Sequence, residues 1–588
     1  MKDYERRAEE IIARRGAAPE PERLHRLFDL QWRYTMEEYP EFATYVGWPG
    51  QNHRWTDVSL EAIERRNREM EVPARVLATI DRGALGPDDR LHHDLFRRGT
   101  EEGLEGRRFK AEYMPINQMQ GVQQNVAQTI AMMRVATASD YEDVVARLHG
   151  VPRLIEQTIA LLEKGLETRI TPPRVTLRDV PQQILNQVVE DPPASPLLRP
   201  FSRFPESVAE PDRERLRRAA AEAYRGEVAP AYLRLHDYFA QTYLPRTRET
   251  IALSDLPDGE AWYEFNVRQS TTTRLTAREI HEVGLQEVKR IRAEMDGVMT
   301  QSGFTGGFAE FMAFLRTDPR FFFERAEDLL RGYRDICKRA DPELVKLFGT
   351  LPRLPYGVVP VPAYAEKSQT TAYYEPGSPA AGRPGYFFAN TYDLRARPKW
   401  EMEALALHES VPGHHLQIAL AQELPAAPEF RKHGFYTAFI EGWGLYAEAL
   451  GAEMAFYADL YSRFGQLTYE VWRAIRLVLD TGMHAFGWSR EKAIAYFEEN
   501  AGKAAHDIVV EVDRYIVWPG QALAYKIGEL KIKELRARAA AALGPAFDVR
   551  AFHDQVLGSG ALPLDVLETR IDSWIAEQRR TSGETGST

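Results

Sequence analysis

Apolar residues recur at mixed three- and four-residue spacing over 3–15, 22–38, 58–82 and 137–167. That is the pattern of helices with one buried face. Thr276-Ala-Arg-Glu279 has the form of a capping box and predicts a helix over about 276–302. Residues 212–245 and the stretch to about 347 read as helix too. Between the early helices, Pro192, Pro193, Pro196, Pro200, Pro205 and Pro211 crowd into 191–211. Proline at that density stops helices and sheet ladders alike, so a long irregular loop crossing the surface is expected there. No repeat of fixed period stands out.

Residues 352–393 change the pattern. Short β-prone runs, Tyr356–Val361, Thr370–Tyr374 and Gly385–Tyr392, alternate with turn residues such as Pro376, Gly377, Ser378 and Pro379. They predict a small antiparallel sheet. Helix returns near 397 and dominates to 579, and the Ser/Thr/Gly-rich end over 581–588 is expected to be disordered. The expected fold is mainly α. A helical part over 1–250 and a catalytic part over 251–580 form one large body with a cleft, and a small β element precedes the most informative helix.

Composition narrows the function classes. The chain has 588 residues, 44% hydrophobic and 27% charged, which supplies a core and excludes wholesale disorder. The net charge of −11 disfavours nucleic acid or an anionic membrane as partner. Cys337 is the single cysteine, so neither an intrachain disulfide nor a cysteine-based zinc site is available. The N-terminal residues lack the apolar stretch of a signal peptide, and no run of 18 apolar residues occurs. A cytoplasmic enzyme is the expected class.

The chemistry concentrates in His408-Glu409-Ser410-Val411-Pro412-Gly413-His414-His415. The zinc-protease pattern HExxH sets two histidines at i and i+4 on one helix face, with the glutamate beside them. Here the i+4 position is Pro412. On a straight helix His408 and His414 point about 240° apart, and His415 faces the same way as His408 but about 10 Å further along. Neither pair can share one zinc there. Pro412 and Gly413 break the helix, and looping out two residues restores the i,i+4 relation for His408 and His414. That pair is preferred, with His415 as the reserve ligand or a group behind it. A third ligand is needed. Glu441, opening Glu441-Gly-Trp-Gly-Leu-Tyr-Ala-Glu448, is the candidate, with Gly442 and Gly444 permitting close helix approach. Glu448, two turns on, is placed to orient a histidine.

The stretches HESVPGHHLQ, EGWGLYAE, RLVLDTGMHAFGWS and PGQALAYKIGEL together resemble a bacterial family of uncharacterised function, whose relatives are similar in layout to helical zincins of the angiotensin-converting-enzyme-like and thermostable-carboxypeptidase kind. The resemblance implies a zinc hydrolase with a helix-lined cleft and one Zn²⁺ per chain. It leaves the substrate open. On this reading Glu409 is the general base, and Tyr525 or His484 stabilises the oxyanion. Arg514 or Lys526 holds a substrate carboxylate. The stretch Gly385-Tyr-Phe-Phe-Ala-Asn390 binds an extended substrate through its backbone, with Asn390 as a contact. The expected substrate is a short peptide. A non-peptide amide, or a catalytically silent scaffold that only binds, are the alternatives.

Overall fold

The computed structural model describes residues 2–362, 366, 370–379, 382–425 and 427–585. It is mainly α, with one three-stranded sheet among the described residues. The chain divides into two compact units. One comprises Met1–Ile251, Asp255–Gly259 and Pro428–Phe430; the other comprises Ala252–Ser254, Glu260–Ala427 and Arg431–Thr588.

The first unit is helical. Helices Lys2–Ala13 and Glu20–Glu38 match the apolar spacing, and the long helix α1, Ala138–Thr168, starts on a capping box between Thr137 and Asp140. Val144, Leu148, Val151, Ile155 and Leu162 of α1 form one buried stripe in the core with Leu235 and Phe239. The proline-rich segment does not cross the surface as an open loop. It winds into 3₁₀ turns, Pro192–Ala194 and Pro196–Ser202, that send Leu197, Leu198 and Phe201 into the same core. Prolines fit the first positions of such turns, where no N–H is needed, so their density permits tight winding there.

The second unit is built around buried helices. Helix α2, Ala277–Gln301, opens on the Thr276/Glu279 capping box, and α3 spans Ala326–Leu347. Strands β1 (Tyr356–Pro360), β2 (Ala372–Glu375) and β3 (Gly385–Ala389) follow. The sheet order is β1-β3-β2, with β1 parallel and β2 antiparallel to β3. The sheet is therefore mixed: β2 runs opposite to β1, and β3 lies between them running in the direction of β1. β3 is the central strand and is paired on both sides. Its backbone cannot take an extended substrate, which corrects the expectation for Gly385–Ala389; an added strand would have to use β1 or β2.

The remaining helices are α4 (Met402–Glu409), α5 (His414–Gln422), α6 (Thr437–Leu450), α7 (Leu460–Ala485), α8 (Ala505–Val517) and α9 (Ala524–Leu543). α7 is buried almost throughout from Phe464 to His484. A helix buried all round must have its polar residues partnered from neighbouring elements. α6 and α9 cross in contact: a Cβ on Gly442 would lie 2.5 Å from the Gly528 backbone. Only glycine at both positions permits that approach. The last helix, Leu564–Thr585, runs through the start of the segment expected to be disordered, and Gly586–Thr588 lie outside the described residues.

Candidate metal centre

The histidine motif is not one helix with a bulge. α4 ends at Glu409, Ser410 leaves helical geometry at φ −102°, ψ −117°, and α5 restarts after Gly413 at φ −78°, ψ −131°. A Cβ on Gly413 would overlap the carbonyl oxygens of Leu407 and His408, so the turn closes only on glycine. The carbonyls freed by the break find partners. Trp443 Nε1 of α6 donates to Pro412 O at 2.7 Å, and His415 N donates to Ser410 O at 3.1 Å.

This break brings His408 and His414 together, with ring centroids 4.6 Å apart and planes at 86°. Glu441 of α6 completes the group. Its Oε2 lies 3.5 Å from Nε2 of His408 and 3.5 Å from Nε2 of His414. One donor atom from each of the three residues falls within 4.8 Å of the others. Ligands 2.0–2.1 Å from a tetrahedral zinc stand about 3.3–3.4 Å apart, so the two 3.5 Å edges fit a shared cation better than direct hydrogen bonds. Gly444 makes the room: a Cβ there would sit 2.7–3.0 Å from the His408 ring.

The surrounding groups orient the donors. His408 Nδ1 donates to Glu448 Oε1 at 2.8 Å, which leaves Nε2 facing Glu441. Glu448 is fully buried and is met from behind by Arg473 Nη2 at 3.5 Å. His414 Nδ1 is buried without a hydrogen-bond partner among the described residues, so what Nε2 binds fixes its tautomer. Burial alone would lower the basicity of His408, but Glu441, Glu448 and Glu409 overcome it and hold its pKa up to about 10. Glu441 is driven the other way: burial would raise it, and the two imidazoles hold it well below the usual carboxylate range. The pocket thus favours positive charge. Glu409, next to His408, makes no hydrogen bond with any described side chain. The small residual exposure of the cluster lies on Glu441, Glu409 and His414.

The other sequence candidates are placed differently. His415 points away from the cluster: Nδ1 accepts from Tyr374 Oη at 2.9 Å and Nε2 donates to Leu354 O at 3.0 Å. Burial pushes its pKa down to about 4, which suits this neutral form. It anchors the sheet, where Gly385 leaves room for its ring and Tyr374. His484 is not an oxyanion donor. Its Nδ1 accepts from Leu253 N and its Nε2 donates to Tyr515 O, each at 3.0 Å, and it is wholly buried. Lys526 is not a free cation for a substrate; its ammonium is held by Glu529 (2.6 Å), Glu470 (2.8 Å) and Glu287 (3.0 Å). Asn390 is not a substrate contact. Its amide donates to Glu366 O and Thr370 O, and its Oδ1 accepts from Tyr392 N. Arg514 is partly exposed and donates to Gln521 Oε1 at 3.2 Å and Tyr525 Oη at 3.1 Å. Tyr525 stands one turn before Gly528, whose crossing partner Gly442 adjoins Glu441. Sequence reasoning assigned no role to Arg473 or Trp443; Trp443 lies in a quoted motif and Arg473 three residues before another, and only the helix packing shows what they meet.

Fold and site together define a mainly α protein with a buried cluster of two histidines and three glutamates, broken out of helix by a glycine turn. The chain belongs to the DUF885 family, bacterial proteins of unknown function, whose model matches residues 40–571. No curated protein matches it. It is similar to the crystal structure of a "putative lipoprotein" from Colwellia psychrerythraea, with a TM-score of 0.89 and 26% identity over 95% of this chain and 99% of that one. A "putative lipoprotein of unknown function" from Shewanella oneidensis shares 15% identity, with a TM-score of 0.69 over 93% of this chain and 99% of that one, and supports the fold alone.

Proposed function

We propose that the protein is a metal-dependent hydrolase of amide bonds in short peptides, with His408, His414 and Glu441 holding one zinc ion. The observation that carries this reading is the pair of 3.5 Å separations from one Glu441 oxygen to two imidazole nitrogens, with the His408 ring set by Glu448. The likeness of HESVPGHH and EGWGLYAE to helical zincin motifs supports it. Zinc in such a site supplies Lewis acidity to a substrate carbonyl and lowers the pKa of water. The protein's part is then definite. Glu409, unengaged and adjacent to the ligands, takes a proton from the attacking water and returns it to the leaving amine. Arg514 donates to the Tyr525 oxygen, which leaves the phenol O–H free to donate to the developing oxyanion.

The test is hydrolysis of a mixed short-peptide pool. Cleavage should vanish with a chelator and return with added Zn²⁺. Cleavage indifferent to the chelator, or no cleavage with zinc bound, would overturn the reading. A cytoplasmic location is part of this proposal, and the word lipoprotein in the descriptions of the two structures named above weighs against it. No helix among the described residues is long and apolar enough to cross a membrane.

A further inference from the structure

Beside the metal centre lies a concentration of positive charge that the mechanism above does not use. Three cations surround one indole: Arg473 Cζ, Arg476 Cζ and Lys503 Nζ each lie 4.8 Å from the Trp472 ring centroid. Arg476 also lies over the Tyr525 ring at 4.4 Å, and Arg514 reaches the hydroxyl of that tyrosine. Four cations therefore meet around Trp472 and Tyr525. Three carboxylates contact them. Glu401 pairs with Lys503 at 2.9 Å, Glu448 with Arg473 at 3.5 Å, and Glu511 with both Arg476 (3.0 Å) and Arg514 (3.5 Å). Glu448 is already committed to His408. With Glu448 still counted against Arg473, four cations meet three carboxylates and one positive charge is left over; burying an uncompensated charge is costly.

The hydrogen-bond inventory shows the same deficit. Arg473 Nε, Arg476 Nη1 and Arg514 Nε are buried and lack partners among the described residues. Arg473 and Arg476 are themselves more than nine-tenths buried. Unsatisfied groups of this kind are rare in native proteins and ask for an acceptor that is not part of the chain. Trp472, Lys503 and Arg514 keep partial exposure, which gives the cluster an opening.

We infer that Arg473, Arg476, Arg514 and Lys503, arranged around Trp472 and Tyr525, recognise the terminal carboxylate of a peptide. A single surplus charge matches a monoanion, and planar guanidinium groups stacked on aromatic rings match a planar carboxylate. The cluster is tied to the metal centre at two points. The Glu448 oxygen that holds His408 also meets Arg473, and Tyr525 precedes the crossing at which Gly528 meets Gly442, the neighbour of Glu441. A chain end bound there is presented to the metal centre, so the enzyme trims peptides from the C-terminus. The exopeptidase part of this inference rests on the hydrolase reading; the carboxylate site does not.

Binding to metal-stripped protein separates the two. The intact chain, treated with EDTA so that nothing is turned over, is equilibrated with a pool of N-acetylated tripeptides. Half the pool carries free C-terminal carboxylates and half, isotope-marked, carries amides. The acids should be retained at least tenfold over the amides. The preference should fall to near one in Arg476→Gln and be partly kept in Arg476→Lys. Equal retention of both forms by wild type, including none of either, overturns the inference, as does an undiminished preference in Arg476→Gln. A carboxylate preference in a protein that takes up no zinc would sink the hydrolase and leave this site standing.

Discussion

Two buried ionic clusters in the second unit are each built from three glutamates on packed helices, yet differ in what completes them. Around Lys526, three carboxylates converge on an ammonium that the chain itself supplies, and all three of its donors are used. Arg290 adds a second internal cation on Glu287 and Glu470. Those partners hold Glu470 far below the usual carboxylate range, against the effect of burial, and they hold Lys526 charged. Around His408 and His414, Glu409, Glu441 and Glu448 converge with no ammonium from the described residues at the centre; the one guanidinium among them in contact, Arg473, stands behind Glu448. The first cluster is closed and saturated. The second leaves two imidazole nitrogens and a carboxylate oxygen aimed at one point. A buried charge cluster that carries its own counter-charge holds the fold, and one that lacks it is, on the function proposed above, the place for a cation.

The contrast can be broken by substitution. Glu409→Gln should lower peptide hydrolysis by roughly 10³- to 10⁴-fold with metal content unchanged, read by steady-state assay beside elemental analysis. Activity within tenfold of wild type would remove the general base from the account. Lys526→Met should cost about 3–4 kcal/mol of stability in urea denaturation, because three carboxylates are left unpaired, while zinc uptake is untouched. If zinc uptake fell and stability did not, the two clusters would not be different in kind. Glu448→Ala should weaken zinc binding by about 10- to 100-fold without abolishing it, by competition with a chromogenic chelator.

The smallest effect is a pH dependence away from both clusters. His553 is buried and neutral: Nδ1 donates to Leu347 O, Nε2 accepts from Tyr446 Oη, and burial pushes its pKa down to about 4. A histidine with a depressed folded pKa contributes stability that is whole above its unfolded value near 6.5 and lost as pH falls toward 4. At pH 5 the loss is about 2 kcal/mol, and His553→Gln should remove that part of the acid sensitivity. An unchanged difference in urea midpoint between pH 7 and pH 5 in the variant would contradict it.

The helices were legible because their apolar spacing and capping residues are local. The converging residues His408, His414, Glu441 and Glu448 were legible because each stands in a short motif whose spacing limits what it can face. What decided between His414 and His415 was not legible. The four-residue break Ser410–Gly413 redirects α5, and its closure depends on carbonyls of α4 and on Trp443 of α6. The misplaced candidates share one cause. His484, Lys526 and Asn390 have the right chemistry, but their partners come from other segments: Leu253 and Tyr515, Glu287 and Glu470, and Glu366 with Thr370. The strand pairing failed for a similar reason. Local β propensity marks where strands lie, whereas the parallel β1–β3 pair depends on the path of the connection between them.

The most direct test is zinc content by elemental analysis of the purified chain, after equilibration with Zn²⁺ and dialysis, beside His408→Ala treated identically. The account predicts about one zinc per chain in wild type and none in the variant. No retained zinc in wild type, or the same amount in both proteins, would contradict it.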